Sequence, residues 1–321
     1  MPFDFAAVSS PFRMQPGLRR LASGEPQLTP NNPEDKALRE KLAVLSAHPA
    51  HAFVAAPGFD AAPALHALCM HASGEHPDAF RAEPDAGWTA LRLGWTVRGD
   101  TVQGEGHGKS ANAIGACLRA LPAPKRLPGL LALAFAEDFA VVDSSSGRIP
   151  WLAVCLPSSW APEVKVGKHF TEVHAPVADN ALLISAADHL MRLVTGPERW
   201  ERFVWTISRH ATLAQHPLHC TAAAWPAPDL SRDAAADASS LAANAFFRTE
   251  RQTFIPVPGA GQAVFTIHVE NEPLVAAIHS PAHARQLHDA LATMSPAVLA
   301  YRGLSDVRGR LLAWLGARSV P

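Results

Sequence analysis

Cysteine is scarce: the 321-residue chain holds four, Cys69, Cys117, Cys155 and Cys220, far apart and with no C-x-x-C pair. That spacing excludes a cysteine-ligated iron–sulfur cluster of ferredoxin type. Charge excess is also missing. Twenty-eight basic residues face 29 acidic ones, for a net charge of −1, so no broad field recruits nucleic acid or anionic lipid. Long apolar runs are absent too. The most apolar stretch, near 130–142, is interrupted by Glu137 and Asp138, well short of the ~18 residues of a membrane span. The opening MPFDFAAVSSPFRMQPG has no basic segment leading into an apolar one, and the expectation is a cytoplasmic protein. Lysine is rare as well, at 6 against 22 arginines, which leaves many planar forks for carboxylates.

What is present is an ordinary apolar fraction, 48%, enough for a sizeable core. Residues 1–32 are punctuated by Pro11, Pro16, Gly17, Pro26 and Pro30 and read as an extended arm. Residues 33–321 then read as one domain. Asn32-Pro33 opens a helix with Leu38, Leu42 and Leu45 on one face, and a second helix covers about 61–73. Residues 77–128 give no clear pattern; Gly104, Gly106 and Gly108 read as a turn rather than a nucleotide loop, because no buried strand precedes them. AEDFAVVD and RIPWLAVCLP read as two strands around Ser144–Gly147. A helix follows with Leu183, Ala187, Leu190 and Val194 on one face, then the strand ERFVWTIS. FFRTERQTFIPVP and QAVFTIHVE form a second hairpin, and helices close the chain. The expected class is α+β, a small antiparallel sheet flanked by helices.

The ordered motifs MQPGLRRL, AEDFAVVD, CLPSSW, VGKHFTEVHAPV, RFVWTIS and RTERQTFIPVPGAGQAVFTIHVENEPL resemble the α-subunit family of haem-dependent oxidative N-demethylases. The resemblance runs from about residue 12 to about 275. It implies a PAS-like sheet binding haem b, with O2 oxidising the N-methyl group of a small secondary amine to formaldehyde. It also implies reductase or electron-transfer subunits carrying flavin, nicotinamide and iron–sulfur functions. Two positions depart from the family pattern: Val204 replaces the asparagine before Trp205, and Ala178-Asp179 replaces the proline and glycine after His-x-Pro-Val. A second class of function is a non-catalytic haem or small-ligand sensor or scaffold on the same sheet.

His174 is the nominated axial ligand to the haem iron, with His169 its nearest rival; a neutral imidazole ligates iron when its other nitrogen has a fixed acceptor. Arg202 and Lys168 are candidates for the haem propionates, and Trp205 and Trp160 for core or cofactor walls. Strand alternation separates the remaining pair. Arg248, Glu250 and Gln252 share one face of their strand, and Arg251 shares the other with Phe247, Thr249 and Ile255. Because that second face is more apolar, Arg251 is expected in the pocket, with Glu250 as its alternative. His210, His216, His219 and Cys220 match no common zinc spacing and read as a loop.

Overall fold

The computed structural model describes residues 3–85, 87–220 and 224–319. Eleven strands are present among them: β1 (Arg19–Arg20), β2 (Phe53–Ala55), β3 (Phe80–Glu83), β4 (Gly87–Ala90), β5 (Trp95–Arg98), β6 (Thr101–Gly104), β7 (Asp138–Asp143), β8 (Arg148–Ala153), β9 (Trp200–Ser208), β10 (Phe246–Val257) and β11 (Gln262–Pro273). Seven form one sheet in the order β1-β9-β10-β11-β7-β8-β2, with antiparallel neighbours throughout. A second sheet runs β3-β4-β5-β6, also antiparallel. The fold is α+β, with antiparallel sheets flanked by helices.

The large sheet has two different faces because side chains alternate along each strand. On β7, Phe139 and Val141 join the main core, whereas Ala140 and Val142 join a separate cluster with Leu152, Phe254, Val173, Met191 and Val194. That second cluster lies under the helices Phe170–His174 and Ala187–Val194, and the candidate site sits there. The C-terminal helices build a third core around Trp205, Ile207, Phe247 and Trp314, packed against the opposite face of β9 and β10.

Residues 77–128, opaque in the sequence, hold the four-stranded sheet, the helix Ala111–Ala120 and the start of the helix Ala123–Ala134. All three glycines of the G-x-G-x-G run have positive φ (128°, 74° and 74°), and a Cβ on Gly106 would meet Trp95 Nε1 at 2.7 Å. Only glycine fits such a turn, so the motif is steric in origin. The helix expected over 181–195 is two short ones, Ala181–Ser185 and Ala187–Val194, joined at Ala186. The N-terminal segment contributes β1 to the edge of the large sheet beside β9. No helix among the described residues is long and apolar enough to cross a membrane.

Candidate functional site

A cavity of about 740 Å³ opens between the second face of the large sheet and the helices above it, within the roughly 300–1,000 Å³ of small-molecule and cofactor sites. The sheet supplies Arg202, Val204 and Thr206 from β9 and Arg248, Glu250, Gln252 and Phe254 from β10. The pairing places these residues side by side: Glu250 opposes Val204, Gln252 opposes Arg202 and Arg248 opposes Thr206. Ala140, Val142 and Phe265 floor the apolar end, and Phe170, Val173, Leu190 and Met191 roof it.

His174 ends the helix Phe170–His174 and lines this cavity. Its Nδ1 lies 2.8 Å from the Phe170 carbonyl, an acceptor, so Nδ1 carries the proton and Nε2 presents its lone pair. Burial, reinforced by the positive charges of Arg202 and Lys165, pushes the His174 pKa down to about 4. The ring is therefore neutral at neutral pH. The unfolded chain takes up this proton near 6.5 and the folded chain near 4, so the neutral ring contributes stability above 6.5 that is lost as pH falls toward 4. The difference amounts to about 3 kcal/mol. In urea titrations of haem-free protein, wild type is expected to lose most of that increment between pH 7 and 4.5, relative to His174→Leu. Equal losses in the two proteins would contradict the assignment. His169 is committed elsewhere: it caps the same helix, with its Nδ1 toward Thr171 and its backbone N–H donating to Glu172 Oε2 at 2.7 Å.

Glu250 is held on both oxygens. Ser158 Oγ donates to Oε1, and Gln252 Nε2 donates to Oε2 at 2.6 Å. Ser158 is itself fixed by Arg248, whose Nε donates to the hydroxyl at 2.8 Å. Arg248 is fully buried and spends its other donors on carbonyls, including Leu213 at 2.8 Å. The P-S-S-W motif thus acts as a bracket for a carboxylate, with Ser159 beside it at φ 61°. Trp160 forms part of the wall, with Lys165 Nζ 4.2 Å from its ring centre.

The cations are unequally satisfied. Arg202 Nε and Arg209 Nε are shielded from solvent with no hydrogen-bond partner among the described residues. Burial pushes the Arg202 pKa down, against the pull of Glu250, and pushes Lys165 down to about 8 with the same opposition. Lys165, Arg202, Arg209, Arg248 and Arg302 line the cavity against one carboxylate, Glu250. Such an excess of shielded positive charge calls for an anionic occupant.

Several expected residues sit elsewhere. Arg251 does not line the cavity. It is buried on the opposite face, with Nε 2.9 Å from Glu201 Oε2 and an η-nitrogen donating to the Pro26 carbonyl at 2.9 Å. Glu201 also accepts from Arg19 Nε at 2.9 Å, so the pair ties the N-terminal segment to β9 and β10. The alternation separating Arg251 from Glu250 holds, but the apolar face is filled by packing, and the polar face is the one left open for a ligand. Arg251→Met is expected to cost about 3–5 kcal/mol, toward the lower end because Arg19 still partners Glu201. The same variant should leave ligand binding in the cavity unchanged; a binding defect without loss of stability would contradict this.

Lys168 is solvent-exposed, and the neighbouring lysine, Lys165, lines the cavity instead. Gly167, at φ 73°, turns the chain between them. Trp205 borders the cavity, but its ring packs into the C-terminal core against Phe12 and Phe247. Arg302 donates to its carbonyl and lies over the ring. Lys165, Arg209, Arg302 and Ser158 line the site although the sequence assigns none of them a role. The only signal for Lys165 was the short K-V-G-K run, which does not say which lysine turns inward.

The residues present fit a haem: a free imidazole nitrogen at one wall, shielded cations for two carboxylates, and an apolar enclosure. A family model described as haem-dependent oxidative N-demethylase, alpha subunit-like, matches residues 35–312. No curated protein matches the chain.

Proposed function

We propose a function from one premise: the chain belongs to the haem-dependent oxidative N-demethylase family, alpha subunit-like. Residues 33–321 are read as a PAS-like haem domain and 1–32 as its arm, a reading supported by the antiparallel sheet with a helix-covered cavity on one face. His174 ligates the iron of haem b through Nε2, with Nδ1 anchored on the Phe170 carbonyl. Arg202, Arg209 and Lys165 take the propionates. When bound, the haem supplies the oxygen-activating chemistry.

The protein's own residues bind and orient the amine. A small secondary N-methylamine enters as its ammonium and pairs with Glu250, whose two oxygens are pre-aimed by Ser158 and Gln252. Glu250 can then accept the ammonium proton, leaving the neutral amine for oxidation. In the overall reaction the methyl carbon leaves as formaldehyde and gives up two electrons. Two more come from flavin and iron–sulfur partner subunits, and O2 takes all four. We assign the reaction to the cytoplasm, where reduced nicotinamide would feed such partners.

The observation that carries the reading is one cavity holding both a free imidazole nitrogen and a bracketed carboxylate. The test is formaldehyde release from haem-loaded protein, supplied with dimethylamine, O2 and an electron-transfer partner. Formaldehyde is expected with the partner present and not with reduced nicotinamide alone. Haem-loaded protein that makes none under any donor would favour the sensor role.

A further inference from the structure

Outside the cavity, four histidines from two distant parts of the chain converge. His48 and His51 flank the start and middle of the short helix Pro49–Ala52, and His216 and His219 sit on the turn after β9. One ring nitrogen from each of His51, His216 and His219 lies within 4.8 Å of the others. Glu163, on the turn Pro162–Val164, reaches between two of them: its carboxylate is 3.1 Å from His216 Nε2 and 3.3 Å from His51 Nδ1. His51 Nδ1 is shielded from solvent and makes no hydrogen bond among the described residues. His48 stacks flat on His219, with ring centres 3.6 Å apart, and fixes that ring's orientation.

We propose that His51, His216, His219 and Glu163 form a zinc site. Three imidazoles and a carboxylate are a borderline-soft donor set that suits Zn²⁺, and four such donors satisfy its tetrahedral preference. At zinc–nitrogen distances of about 2.0–2.1 Å the ligand nitrogens lie roughly 3.4 Å apart. The three imidazole nitrogens, within 4.8 Å of one another, reach that spacing by rotation of their side chains, and Glu163 already touches two of the rings. Coordination through His216 Nε2 moves its ring proton to Nδ1 and gives up the bond from the Leu218 N–H, at 3.2 Å the longer of that ring's contacts. Glu163 exchanges the hydrogen bond it accepts from the His216 ring for a bond to the metal.

The site has a consequence for the cavity wall. The turn bearing His216 and His219 also carries Gln215, Pro217 and Cys220, all of which line the cavity. Gln215 bridges to Ser158, the residue that holds Glu250. Zinc would fasten that wall to the helix Pro49–Ala52 and the turn Pro162–Val164. The inference does not depend on what the cavity binds.

The test uses tag-free full-length protein, stripped with chelator and titrated with Zn²⁺ against a chromophoric chelator. One zinc per chain is expected. The exposed His219→Ala variant and His51→Ala should each weaken binding by about tenfold or more. His189→Ala, an exposed histidine elsewhere, and His174→Ala should bind as wild type does. Cobalt loading should give the intense visible bands of a four-coordinate site, lost in His219→Ala. No stoichiometric binding, or binding that survives both His51→Ala and His219→Ala, would overturn the site.

Discussion

His174→Ala protein, reconstituted with haem, is expected to retain less than a tenth of the wild-type haem after gel filtration. The remaining cavity contacts are apolar walls and carboxylate pairs, which hold a porphyrin loosely without an iron bond. The effect is specific to the ring. His174 packs at the end of a five-residue helix, and its Nδ1 bond to Phe170 is local, so removing it leaves the sheet untouched. Free imidazole should enter the space left by the side chain and restore much of the wild-type spectrum. A variant with unchanged haem content and spectrum would place the iron ligand elsewhere, and His210, which also lines the cavity, would be the next to examine.

The second large effect is expected at Glu250. Removing one partner of a shielded charge pair costs about 2–5 kcal/mol. Glu250→Gln should therefore lower kcat/KM for formaldehyde release by roughly 30- to 5,000-fold. The isosteric amide keeps the contact with Ser158, so haem content should stay near wild type. The loss should fall mainly on KM if Glu250 only holds the ammonium, and on kcat as well if it also takes the proton. Full activity in Glu250→Gln would remove the carboxylate from the amine site.

Much of this arrangement is legible in the sequence, and the failures have identifiable causes. The hairpin β10–β11 announces itself through alternating apolar residues, and the same alternation assigns Glu250 and Arg251 to opposite faces. Which face holds the ligand is not written in that pattern. Apolar residues mark where the protein packs against itself, and here Phe247 and Trp205 are covered by the C-terminal helices. The open face carries Arg202, Arg248, Glu250 and Gln252, the polar walls that a charged occupant would need. Arginine on the packed face required a carboxylate, and Glu201, one residue before Arg202, supplies it.

The four-stranded sheet escaped notice for a different reason. Its strands are four residues each, too short to establish a period, and its turns carry the charged and glycine residues that blur an alternation. The histidine cluster shows a third limit. His216 and His219 lack a zinc spacing because their partners, His51 and Glu163, come from elsewhere in the chain. Spacing rules find sites built from one segment; folding assembles this one from three.

The central claim is that the cavity binds haem through His174, and a haem titration of the purified, metal-stripped protein followed by absorption spectroscopy tests it most directly. The predicted result is a Soret band that grows to saturation at one haem per chain and shifts to the position of an imidazole-ligated ferric haem. A spectrum that remains that of free haem at every ratio would contradict it.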